Sequence, residues 1–123
     1  MSGVKHFRYR DLDLTPTADG PALPLVNVGY SHDLGAGIGA FENCAVPWTV
    51  TCDEVLFIKQ GVLTLRVEGE AFHAGEGDVL WIPRDTALVY EATAKVVFFY
   101  AVYPAGRSPS ASETTVFPTA PAG

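Results

Sequence analysis

Between residues 63 and 68 apolar and polar side chains alternate one for one, with Leu63, Leu65 and Val67 on one side and Thr64, Arg66 and Glu68 on the other. A period of two belongs to a strand with one buried face and one wetted face. From Leu23 onward the chain is cut every few residues by Gly, Pro, Asn or Asp, and the pieces between are rich in Val, Phe, Tyr and Ile. Strands are predicted at Leu25 to Tyr30, Ile38 to Phe41, Glu54 to Lys59, Val62 to Val67, Ala71 to Ala74, Val79 to Ile82, Ala87 to Glu91 and Lys95 to Tyr103. Glu54 to Lys59 and Val62 to Val67 are expected to form a hairpin about Gly61, and Gly75 to Asp78 a tight turn. Pro83 ends the strand before it, because a proline cannot continue a ladder. No stretch carries the period of an ordinary helix. The pattern predicts an all-β sandwich or barrel.

Length and composition narrow this picture. The 123 residues suit one domain, and 48% hydrophobic with 11% aromatic content suits a packed core. Residues 1–106 are expected to form that domain, with an N-terminal arm over 1–22 and a Pro/Ser/Ala-rich tail over 107–123. The net charge of −6 and eight scattered basic residues argue against nucleic-acid partners and against anionic membrane surfaces. Met1 to Asp13 mixes charges with no apolar run behind it, unlike a secretory signal. Val96 to Tyr103 is too short to cross a bilayer as a helix. Cys44 and Cys52 lack metal-type spacing, and a reduced state in the cytoplasm is expected.

Two stretches carry family information. The first, Asp53 to Gly61, and the second, Gly77 to Pro83, resemble the two signature segments of the cupin barrel. The first cupin motif is G-x5-H-x-H-x(3,4)-E-x6-G. Glu54 and Gly61 keep the acid-to-glycine spacing, while the histidine places fall on Trp48 and Val50, or on Pro47 and Thr49 with the longer gap. The second motif is G-x5-P-x-G-x2-H-x3-N. Gly77 and Pro83 match it, whereas Asp85, Leu88 and Ala92 replace its glycine, histidine and asparagine.

A narrower match rests on Leu34 to Gly37, Glu42-Asn43, Pro47 to Thr49, Asp53-Glu54, Gly77-Asp78, Ile82-Pro83 and Tyr100 to Pro104. This run resembles the cupin domain of the EutQ-type ethanolamine-utilisation proteins. The resemblance implies a double-stranded β-helix, or jelly-roll barrel, a homodimer, and loss of the cupin metal triad. It also implies acetate kinase activity, which has been attributed to members of that family. Those members usually carry an additional N-terminal region, for which a chain of this length is expected to have no room. Tyr103 stands where they tend to have Trp.

Glu54 is the leading candidate for chemistry. On the motif alignment it points into the barrel with Leu56 and Ile58, and a carboxyl among apolar groups holds its proton more tightly. Such a group suits acid or base work near neutral pH. Tyr90 shares the parity of Leu88 and should face inward to assist, and Tyr100 is favoured over Tyr103 as the inward phenol. Trp48 would fill the former metal cavity or stack on a planar ligand, with Thr49 near the same mouth. Glu42, on the strand before the first motif, is a possible second acid. Asp53, next to Glu54, should face the opposite way, and it completes the candidate substrate-binding set.

No cofactor and no metal site are expected. His6, His32 and His73 were weighed as displaced ligands, but one histidine with one glutamate falls short of the three or four donors that Zn, Mn or Fe takes. Gly35 to Ala40 satisfies G-x-G-x-x-A without the strand and helix that a dinucleotide site needs. Its glycines are expected to let a strand bend or a neighbour approach. Cys52, beside two acids, should have a suppressed thiolate. Arg10, Arg84 and Arg107 read as loop-borne. The sequence supports a metal-poor barrel that binds or transforms a small carbonyl or carboxylate metabolite. The alternatives are a non-catalytic binding or assembly module, and a metal cupin with substitute ligands such as His32.

Overall fold

Alternation along the strands becomes burial in the computed structural model, which describes residues 4–12, 14, 22–26, 30–31 and 33–104. Nine strands follow one another: β1 (Ala22–Val26), β2 (Gly35–Phe41), β3 (Cys44–Thr49), β4 (Asp53–Gln60), β5 (Leu63–Val67), β6 (Glu70–Ala74), β7 (Val79–Ile82), β8 (Ala87–Ala92) and β9 (Val96–Tyr103). A single 3-10 turn at Tyr9–Asp11 is the one helical element among the described residues. No helix among them is long and apolar enough to cross a membrane.

The strands form two antiparallel sheets, ordered β1-β2-β9-β4-β7 and β3-β8-β5-β6. Apart from β1–β2 and β5–β6, neighbours in these sheets are not consecutive in the chain, which is the double winding of a jelly roll. The expected all-β fold is therefore the observed one. Leu56, Ile58, Ile82, Phe98, Tyr100 and Val102 from the first sheet meet Leu63, Leu65, Leu88, Tyr90 and Ala92 from the second in one apolar core. Interdigitation of two inner faces is what a pair of half-buried sheets requires.

The expected hairpin about Gly61 is not formed. β4 pairs with β7 and β9, whereas β5 pairs with β6 and β8, so the chain crosses from one sheet to the other at Gly61. Adjacent alternating segments suggested local pairing, but only a long-range partner could cover both edges of β4. The actual tight hairpin joins β5 to β6 through Glu68 and Gly69, both at positive φ (51° and 82°). That backbone is the one a two-residue hairpin favours.

Three boundaries also differ. β1 begins at Ala22, the last residue of the expected arm, and ends at Val26; residues 27–29 lie outside the described ones. β2 begins at Gly35 and so takes in the glycine run that sequence reasoning left before the strand. β3 was not expected as a strand, because Pro47 interrupts it. It is an edge strand of its sheet, where a missing N–H costs no ladder bond. The tail over 107–123 lies outside the described residues.

Candidate functional site

β4 presents Glu54, Leu56 and Ile58 inward and Asp53, Val55 and Phe57 outward. Glu54 is fully buried, with Ile82 of β7 opposite it on one side and Val102 of β9 on the other. The Tyr90 hydroxyl, arriving from the facing sheet, donates to Glu54 Oε1 at 3.1 Å. Glu54 Oε2 is buried and has no hydrogen-bond partner among the described residues. Burial pushes the carboxyl up to about 8, against the opposing pull of the Tyr90 hydrogen bond. At neutral pH this acid is mostly protonated.

Aromatic rings enclose the pair. Phe41 stacks on Tyr90 at 5.5 Å and on Phe98 at 5.3 Å between centroids. Tyr100 is 1% exposed and lies diagonal to Glu54 across the β4–β9 ladder, while Tyr103 is 55% exposed on the other face. Burial, with the Glu54 charge second, raises both inward phenols, so Tyr90 and Tyr100 remain donors over the working pH range. Gly37 makes room for Tyr100. A Cβ at that position would stand 2.7 Å from the Tyr100 hydroxyl and 2.4 Å from the Leu23 carbonyl oxygen. The glycine run thus serves close approach, as its sequence context suggested.

On β3, Cys44, Val46 and Trp48 pack against the core, and Ala45, Pro47 and Thr49 are exposed. Trp48 lies opposite Leu88, and Val46 opposite Tyr90. Trp48 is half-buried with its indole Nε1 out of solvent and without a hydrogen-bond partner among the described residues. The inward positions settle the motif alignment, since Trp48, Val50, Glu54 and Leu88 occupy the ligand places of the cupin pattern. One carboxyl among an indole and two aliphatic side chains does not fit a metal ion that takes three or four donors. Among the described residues no three His, Cys, Asp or Glu side chains cluster. His6 is exposed, His73 bonds Thr64, and His32 lies outside the described residues.

The fold brings Glu54, Tyr90, Tyr100 and Trp48 to one interior, but not the other expected residues. Thr49 faces outward because it is one residue out of phase with Trp48. Glu42 lies in the exposed turn between β2 and β3 rather than on a strand. Asp53 points outward as expected and accepts hydrogen bonds from the Arg84 backbone N at 3.0 Å and from its guanidinium at 3.3 and 3.4 Å. These bonds hold the Asp53 carboxyl below its ordinary value and tie Arg84 down. Phe41 and Phe98 complete the interior and were not singled out beforehand. Their signal was parity alone, shared with many other apolar residues.

Cys44 and Cys52 are both free. Cys52 Sγ donates to the Pro104 carbonyl at 3.0 Å, and burial, more than the adjacent acids, pushes its thiol up.

Comparison with known proteins gives a consistent result. The family model described as ethanolamine utilisation protein EutQ matches residues 4–108. The chain is 36% identical over 81 residues to the acetate kinase EutQ of Escherichia coli K12, covering 66% of this chain and 35% of that protein. The same protein of Salmonella typhimurium LT2 is 35% identical over an equal span. The chain thus spans about a third of the length of these relatives. A crystal structure of the Salmonella typhimurium ethanolamine utilisation protein Q superposes with a TM-score of 0.76 at 27% identity, covering 83% of this chain and 87% of that one. An RmlC-like cupin from Shewanella frigidimarina gives 0.67 at 15% identity over 85% and 95% of the two chains, a likeness of fold alone.

Proposed function

The chain belongs to the EutQ family of ethanolamine-utilisation proteins, and from that premise we propose that its barrel binds a small carbonyl or carboxylate metabolite, with Glu54 as the acid and base. The observation that carries this reading is a pair of unsatisfied buried polar atoms, Glu54 Oε2 and Trp48 Nε1. Each costs about 1–3 kcal/mol while it lacks a partner. A protonated carboxyl and an indole N–H are both donors, and an oxygen of a carbonyl or carboxylate accepts from donors. Polarised by Glu54, such a carbonyl becomes electrophilic, and after proton transfer the carboxylate can act as base. Tyr90 holds the acid in place and Tyr100 assists.

The relatives are named acetate kinases, which supports acetate as a ligand to test. Phosphoryl transfer draws on cationic groups around the phosphates. Arg66 and Arg84 lie outside the barrel in ion pairs, so the proposal for this chain stops at the carboxylate. A second reading, a non-catalytic binding module, is favoured by the aromatic filling of Phe41, Tyr90 and Phe98 around the acid.

Carbonyl and carboxylate ligands separate the readings. Acetone and acetate are titrated against the protein from pH 5 to 9, with the Glu54 carboxyl followed by carbon NMR. Affinity should fall with a midpoint near 8, and Glu54→Gln should remove the pH dependence. A Glu54 carboxyl that titrates below 5, or a Gln variant with unaltered binding and turnover, ends the acid–base proposal.

The same reading includes a homodimer through the outer face of the first sheet. Phe57 stands between Val79 and Phe99, and Val55 between Trp81 and Ala101. Val79 and Trp81 are 62% and 61% exposed. A contiguous apolar strip of this kind marks an interaction surface, and a flat sheet face can meet its own copy about a two-fold axis. Phe57→Glu should yield monomers in sedimentation; an unchanged oligomeric state removes this face from consideration.

A further inference from the structure

Glu54 is fully buried, so a ligand that reaches its Oε2 must first displace a side chain. The former ligand places of the cupin pattern narrow the choice of which one. Val50 is 0% and Leu88 4% exposed, whereas Trp48, alone of the four, is half-buried. The backbone around these residues differs in the same sense. Glu54 lies on β4, paired by β7 and β9, and Leu88 lies on β8, between β3 and β5. Val50 is held at both its N–H and its carbonyl, by Thr86 and Asp85 at 3.0 and 2.8 Å. Trp48 lies one residue from the end of β3, an edge strand paired by β8 alone.

The indole is balanced between two positions. Packed inward against the apolar core, it keeps Nε1 dry and without a partner among the described residues. A donor in that state opposes burial. Turned outward past the free edge of β3, the N–H gains water and the ring loses apolar contact. An oxygen bound beside Glu54 changes the balance, because it offers the inward indole an acceptor. Ligand and closed indole therefore favour each other. Filling alone would be served by an aliphatic side chain, as Leu88 serves at its own former ligand place, with no donor stranded.

We infer that Trp48 is the gate of the Glu54 interior: the indole turns out to admit a ligand, returns to donate Nε1–H to it, and in closing sets the ligand's upper size. The inference rests on the proposed reading of this interior and names the residue that governs its access and selectivity. A small carbonyl or carboxylate compound fits under the returned ring. A ligand with a bulky group beside its oxygen holds the ring out and forfeits both the donor and the apolar cover.

The chain has two tryptophans, and Trp48→Phe assigns their indole signals in isotope-labelled protein. At pH 7 the Trp48 indole proton should be protected from exchange at least about tenfold less than the Ile58 amide of β4, because local opening takes less free energy than global unfolding. Acetone and acetophenone are then titrated, with amide shifts at Val50 and Leu88 reporting binding. Wild type should prefer acetone, and Trp48→Ala, or Trp48→Leu if that variant does not fold, should reverse the preference. Trp48→Phe should keep the preference and lose about fivefold in acetone affinity, the worth of one hydrogen bond. An indole as protected as the Ile58 amide, or a size preference that removal of the ring leaves unchanged, would overturn the inference. A protected indole with a Glu54 carboxyl carbon signal that acetone shifts removes the gate and spares the acid. A poorly protected indole and a reversed preference, with a Glu54 signal that acetone leaves still, keep the gate and remove the acid.

Discussion

Asp53 and Glu54 follow one another along β4 and end in opposite environments. Asp53 lies on the outer face of the first sheet, where Arg84 and water share its charge. Glu54 lies on the inner face, where Tyr90 is its hydrogen-bond donor and the rest is aromatic and aliphatic. The same carboxyl chemistry is thus pushed down on one side of the sheet and up on the other. A strand's two-residue period is enough to separate an ordinary surface acid from one that keeps its proton at neutral pH.

The largest test of this contrast is pH. For Glu54 the folded-state value of about 8 exceeds the ordinary 4.5, so the folded protein binds more protons than the unfolded chain between those values. Its contribution is fully present below about 4.5 and is lost as pH rises toward about 8. At about 1.36 kcal/mol per unit, that window is worth on the order of 4 to 5 kcal/mol. Urea unfolding from pH 4 to 9 should show wild-type stability declining across the window and the Glu54→Gln variant nearly flat. A Gln variant with the same slope would locate the proton elsewhere.

A substitution behind the inner face should come next. Gly37→Ala places a methyl against the Leu23 carbonyl and the Tyr100 hydroxyl, and overpacking of this kind costs about 1–3 kcal/mol, occasionally more. Thermal melts measure it, and the companion Tyr100→Ala should restore part of the loss. Tyr90→Phe leaves Glu54 Oε1 without its donor. It should cost about 1–3 kcal/mol and move the Glu54 carboxyl higher still, an effect visible by carbon NMR. The outer face closes the series. Asp53→Asn should leave the melting temperature close to wild type, because exposed ion pairs contribute little. A loss as large as that of Tyr90→Phe would erase the distinction between the two faces.

Much of this contrast was legible in the chain. Glu54, Leu56 and Ile58 share parity, and Asp53 opposes them, so the inward acid and the outward one could be assigned from spacing. Tyr90 followed from Leu88 by the same rule, and the choice of Tyr100 over Tyr103 held. The rule failed where phase was ambiguous. Thr49 looked close to Trp48 in sequence but faces the other way, and Glu42 sits in a turn that no periodicity announced. The hairpin about Gly61 failed for a different reason, since neighbouring strands in sequence joined different sheets.

The order of polar and apolar residues pointed to an all-β sandwich or barrel, and the resemblance to the cupin motifs pointed to a jelly roll with Glu54 inward and with an indole and aliphatic carbon at three former ligand places. Those are local or family-scale properties, carried by a period of two and by motif spacing. Only the folded arrangement decided that Tyr90 reaches Glu54 from the facing sheet and that Gly37 clears space for Tyr100. Each of these joins residues far apart in the chain, and a contact between sheets depends on how two twisted surfaces meet rather than on the pattern along either one.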